Sequence, residues 1–129
     1  LESRRIADWF CGRSDYRSLD DLLRNAINGG KQRLLGDVLR CLRQRVHTLS
    51  KRGNPARCNP EATQMADTLL GAGRHACQRH DWDACSLLVR YMGLLAIDFS
   101  ESGLESASEA LEESMKQLQS NFEEKAGGV

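Results

Sequence analysis

Apolar side chains recur along this chain every three or four positions, and no stretch alternates apolar and polar residues as a half-buried strand would. The period is that of the α-helix, and it divides the chain into five main helices and one short leading helix. The leader carries Ile6, Trp9 and Phe10 and stops at Gly12. Ser18, with Asp21 three residues on, has the form of a helix-starting cap; Leu19, Leu22, Leu23, Ala26 and Ile27 then build one apolar face, which Gly29-Gly30 ends. From about Lys31 to Arg52, Leu35, Val38, Leu39, Leu42, Val46 and Leu49 share one sector, and that sector faces the core. Asn54-Pro55 and Asn59-Pro60 punctuate the next stretch; the second pair reads as a cap followed by proline at the first helical position, so a helix is predicted from about Pro60 to Arg79.

His80-Asp81 is predicted to turn the chain, with Asp81 capping a helix from about Trp82 to Phe99. That helix is apolar on nearly every side, with Asp83, Ser86 and Arg90 in a narrow polar strip, which places it at the centre of a bundle. Arg90 would then need an acidic partner such as Asp83 or an acid on a neighbouring helix. The last helix, about Leu104 to Glu124, carries a narrow seam of Leu104, Leu111, Met115, Leu118 and Phe122. The seam suits either an ordinary surface helix or a helix that binds a partner or a second copy of the chain as a homodimer, though it falls short of the three or four heptads that argue for a coiled coil. The fold class is therefore all-α, a compact helical bundle or a stack of helical hairpins without a fixed repeat; the 34-residue pattern of tetratricopeptide hairpins is not met. Residues 1–125 read as one domain and 126–129 as a flexible tail.

Length and composition narrow the class further. The 129 residues, 28% of them charged, suffice for a core without covalent staples, and no apolar run approaches the roughly 18 residues that span a bilayer. Leu1 in place of methionine, with no secretory pattern behind it, suggests a chain excised from a longer one. Five cysteines is an odd number, and Cys41, Cys77 and Cys85 fall in apolar helical patterns where a free thiol acts as a small hydrophobe. This favours an intracellular setting, cytoplasmic or nuclear; the alternative is a secreted or periplasmic protein with one or two bridges, for instance at Cys58.

The net charge of zero conceals a segregation of sign. Residues 1–60 hold 13 Lys and Arg against 6 Asp and Glu, whereas residues 61–129 hold 5 against 12. Arg33, Arg40, Arg43, His47 and Lys51 form a basic stripe opposite the apolar sector of their helix. One reading is a solvated surface answered by Glu105, Glu109, Glu112 and Glu113 of the last helix. A second is a face that holds an acidic or amphipathic helical segment of a partner protein, together with the groove beside the helix that starts at Ser18. Nucleic acid ranks third, because no aromatic side chains interleave with the bases of the stripe.

Catalytic and metal chemistry find little purchase. His75, Cys77, His80 and Cys85 are zinc-capable types within 11 residues, yet on a helix His75 and Cys77 point about 200° apart, and no fourth ligand stands at a recognised spacing. No glycine-rich phosphate loop follows a strand, and no nucleophile, base and orienting group recur together. The expectation is a non-enzymatic, metal-free and cofactor-free interaction domain of the adaptor or scaffold kind. The alternative is a small inhibitor or immunity-type protein that blocks an enzyme.

Overall fold

Five α-helices fill almost all of residues 16–52 and 54–127, the part of the chain that the computed structural model describes: α1 (Tyr16–Asn28), α2 (Gln32–Arg52), α3 (Pro55–Gln78), α4 (Trp82–Glu101) and α5 (Glu105–Gly127). The fold is all-α, as the periodicity predicts, and no strand occurs among the described residues. The short leading helix with Ile6, Trp9 and Phe10 lies outside them.

Three of the four connections are the same device. Each helix end turns back through one residue with left-handed backbone: Gly30 (φ 65°) after α1, His80 (φ 57°) after α3 and Gly103 (φ 77°) after α4. At each, the next N–H reaches back to the carbonyl five residues earlier: Lys31 to Ala26 (2.8 Å), Asp81 to Ala76 (2.9 Å) and Leu104 to Phe99 (3.0 Å). The left-handed residue's own N–H bonds the carbonyl three residues back, at 3.0–3.1 Å. This double bond is the Schellman closure, which satisfies the last carbonyls of a helix and ends it within one residue. Three-residue links then leave consecutive helices to pack side by side as hairpins.

The second and third helices meet differently. Asn54 is the N-cap of α3: its Oδ1 accepts from the Ala56 N–H at 3.1 Å, and Pro55 sits at the first helical position. The helix thus begins at the first Asn-Pro pair, not at Asn59-Pro60, and Pro60 lies inside it. Both pairs carry the same local signal, and tertiary packing chooses between them. Cys58, 1% exposed, is buried and donates to the Leu49 carbonyl of α2 at 3.5 Å, which keeps the extra turn on the core. Asn59, denied its capping role, leaves its Oδ1 buried without a hydrogen bond. Ser18 likewise lies in the first turn of α1, which starts at Tyr16.

The core is formed by one stripe from each helix, such as Leu19, Leu23 and Ile27 of α1 and Leu35, Leu39, Leu42 and Val46 of α2. α3 packs against α1, α4 and α5, and α4 against α2, α3 and α5. Two helices therefore share the centre. α3 earns that position through small residues: Ala62, Ala66, Ala72, Gly73 and Ala76 are all buried. At Gly73 the contact is so close that a Cβ would stand 3.0 Å from Leu118 Cγ and nearer still to both Cδ atoms. α4 is less enclosed than its composition predicts. Ala84, Cys85, Leu88, Met92, Leu95 and Phe99 are buried, whereas Leu87, Val89, Tyr91 and Leu94 are half-buried and Ile97 is 52% exposed. Arg90 is exposed and needs no buried partner, contrary to the expectation from its helix.

The arginine that does meet an acid in a mostly covered place is Arg45. Its Nε donates to Glu61 Oε1 at 2.6 Å, and Tyr16 Oη donates to the same oxygen at 2.9 Å. One carboxylate of α3 thus holds the start of α1 and the middle of α2. Burial, then the Glu61 charge, push the Tyr16 hydroxyl well above the usual phenol range, so it remains a donor.

The seam of α5 faces inward. Leu104, Leu111 and Leu118 are buried, and Met115 and Phe122 pack partly covered on the core. Phe122 meets the Trp82 ring edge-on, with centroids 5.4 Å apart. The bundle thus covers most of this seam, as an ordinary surface helix would have it. α5 extends through Gly127, and among the described residues no helix is long and apolar enough to cross a membrane.

Candidate functional site

The five residues of the basic stripe, Arg33, Arg40, Arg43, His47 and Lys51, are all exposed on α2. Their spacing keeps them on the side opposite Val38, Leu42 and Val46, which are buried. The structure does not use them equally. Arg40, Arg43 and His47, with Gln44 and Thr48, form one wall of an open groove of about 680 Å³ whose other wall is Tyr91 and Asp98 of α4. Arg33 and Lys51 lie outside this groove, toward the two ends of the helix.

The groove runs beside α4 and not beside α1, where the sequence placed it. α2 packs against both neighbours, but its polar face opens toward the side on which α4 presents a half-buried ring and a carboxylate. Helical periodicity fixes which residues share a face; only the packing of α2 on α4 decides what stands opposite.

Two acids answer the stripe from within the molecule. Asp37, one turn away on α2, pairs with Arg40. Asp98 of α4 receives Arg43 at two points, Nε to Oδ2 at 2.8 Å and Nη2 to Oδ1 at 3.3 Å. This two-point bond, and then the Asp98 charge, hold the Arg43 guanidinium even further above its ordinary range, so it is a permanent cation at the groove wall. Arg33, His47 and Lys51 make no ion pair among the described residues.

The acids of α5 do not supply the neutralisation that charge segregation suggests. α2 and α5 each pack against α4, and no ion pair joins them among the described residues. Glu109, Glu112 and Glu113 instead border a shallow depression of about 460 Å³ with Ser106, Ala110 and Lys116. The basic groove and the acidic helix are thus separate surfaces.

The His and Cys cluster disperses in space. His75 Nε2 lies 2.7 Å from Asn28 Oδ1, on the α1 side. His80 stands edge-on to Trp82 with ring centroids 5.3 Å apart. Cys77 and Cys85 face each other inside the core, Sγ to Sγ 3.2 Å. Among the described residues no three His, Cys, Asp or Glu side chains converge as a metal site would require. Burial first, and then Arg24 and Arg79, hold the His75 imidazole below its ordinary 6.5.

Cysteine chemistry departs from expectation in one respect. Cys41, read as a free small hydrophobe, is disulfide-bonded. Cys58, the suggested bridge residue, is a buried free thiol, as are Cys77 and Cys85. Position within an apolar pattern reports burial and cannot distinguish a thiol from half of a disulfide.

No family model, curated protein or solved structure matches this chain. The candidate site therefore rests on its own geometry.

Proposed function

We propose that the domain is a non-enzymatic protein-binding module, of the adaptor or scaffold kind, whose α2–α4 groove holds an acidic or amphipathic helical segment of a partner. The observation that carries this reading is the groove itself: three cationic or ionisable side chains, Arg40, Arg43 and His47, on one wall and a half-buried aromatic, Tyr91, on the other. An amphipathic helix presents both complements at once, carboxylates toward the α2 wall and an apolar edge toward Tyr91. Arginine suits this role because its planar fork binds carboxylates at two points, as Arg43 does with Asp98. A partner carboxylate would compete with Asp98 for that fork.

Affinity capture with and without nuclease tests the reading, comparing the native chain with a variant carrying Arg40→Glu and Arg43→Glu. The expected result is a discrete protein retained by the native chain, insensitive to nuclease and lost from the variant. Retention unchanged by the substitutions would overturn the groove assignment. Loss on nuclease treatment would instead point to nucleic acid.

One observation favours a second reading. The Cys41 disulfide is the kind of bond that persists in oxidising compartments. A small disulfide-bonded inhibitor or immunity-type protein would live there, and would use the same basic groove against an acidic surface of its target enzyme. Inhibition assays on the captured protein distinguish the two.

A further inference from the structure

We propose that Cys77 and Cys85 are an oxidation site: the pair closes to a second, buried disulfide that clasps the α3–α4 hairpin. Both residues are enclosed, at 1% and 0% exposure, and their sulfur atoms already touch at 3.2 Å. A disulfide holds its sulfurs at about 2.05 Å, so closure asks each sulfur to move only some tenths of an ångström. The two positions are set by the turn between them. The Asp81 N–H to Ala76 carbonyl bond and the His80 N–H to Cys77 carbonyl bond fold the end of α3 back on itself. The Asp81 cap on the Ala84 N–H, at 3.2 Å, then fixes the first turn of α4, which ends at Cys85. The turn thus brings the two sulfur atoms into contact without a bond between them.

The rest of the chain gives the pair a reason to oxidise. Cys41 is disulfide-bonded, and wherever that bond persists the conditions also favour oxidation of two touching thiols. Cys58 is the third free cysteine, but its sulfur is engaged with the Leu49 carbonyl. Among the described residues it is the cysteine that remains as a thiol.

The chemistry is thiol–disulfide exchange with a low-molecular-weight disulfide such as glutathione disulfide. One protein thiol loses its proton and attacks a glutathione sulfur, forming a mixed disulfide and releasing one glutathione. The second protein thiol, deprotonated in turn, attacks the first protein sulfur and expels the second glutathione. The protein yields two electrons and two protons, and glutathione disulfide becomes two glutathione molecules. Burial, together with the neighbouring Cys77, pushes the Cys85 thiol up, so the closed fold holds little of the thiolate that exchange requires. Exchange therefore proceeds while the hairpin is open, during folding, and the finished bond is shielded from reductants.

The test refolds the fully reduced, denatured chain in a glutathione redox buffer, alkylates every remaining thiol and maps the tryptic peptides. Arg79 lies between the two cysteines, so trypsin separates them unless a disulfide holds the fragments together. The expected result is one peptide pair linking Cys77 to Cys85, with Cys58 alkylated. Because all thiols are accessible at the start, recovery of Cys77 and Cys85 both alkylated overturns the proposal. So does a bond from either of them to Cys58.

Discussion

At the scale of single residues, the decisive feature is how closely two helices approach at Gly73. A methyl group there would enter the space of Leu118, which is fully buried and has nowhere to swing. Gly73→Ala gains about 0.5–1 kcal/mol of helix propensity, but overpacking at a rigid contact costs about 1–3 kcal/mol. The net expectation is a loss of about 1 kcal/mol, and at most about 2.5 kcal/mol, in urea unfolding. Combined with Leu118→Ala, the double variant should lose less than the sum of the two single losses, because truncation removes the clash. His75 offers a second check at this scale. Its folded imidazole titrates below the ordinary 6.5, so as pH falls through about 6.5 the unfolded chain takes up a proton that the folded chain still refuses. Stability is lost across that window and levels off below the folded value. His75→Gln should flatten this part of the stability–pH curve measured by chemical denaturation.

At the scale of elements, the start of α3 separates local signal from tertiary outcome. Asn54-Pro55 and Asn59-Pro60 are indistinguishable as cap-and-proline pairs, yet only Asn54 caps. Asn54→Ala should therefore destabilise by about 1 kcal/mol. Asn59→Ala should be neutral or stabilising by up to about 1 kcal/mol, since it removes a buried oxygen without a partner and restores helix propensity. Were Asn59 the cap, the order would reverse, and a pair of thermal melts decides it. The turns tell a complementary story. Gly30 and Gly103 announce themselves as helix stops because glycine adopts left-handed backbone freely. His80 fills the same role without that advantage, and its place was legible only because Asp81 follows as a cap.

At the scale of the whole molecule, the arrangement of α2, α4 and α5 decides what each surface can do. The α5 seam is buried against the bundle, so light scattering of this chain should report a monomer of 14.4 kDa. The basic groove lies apart from the acids of α5 and keeps its charge available. Binding of an acidic amphipathic peptide to it should weaken roughly tenfold between about 50 mM and about 500 mM salt, as screening reduces the attraction of exposed charges. Fluorescence anisotropy with a labelled peptide measures this directly. Affinity indifferent to salt would mean that the Tyr91 side of the groove, and not Arg40, Arg43 and His47, dominates.

The sequence alone determined the helices, most of their ends, the inward faces of α1, α2 and α5 and the basic stripe on α2. These follow from periods of three to four residues and from caps and stops that act within one turn, and such interactions are written in adjacent residues. Tertiary structure decided the matters that need two distant segments. It placed Asp98 opposite Arg43, gave Glu61 to Arg45 and Tyr16, left Arg90 in the open, set α3 beside α5 at Gly73 and Leu118, and brought the sulfurs of Cys77 and Cys85 into contact. Each depends on the rotation and depth at which one helix packs on another, which the close-packed core settles jointly for all five.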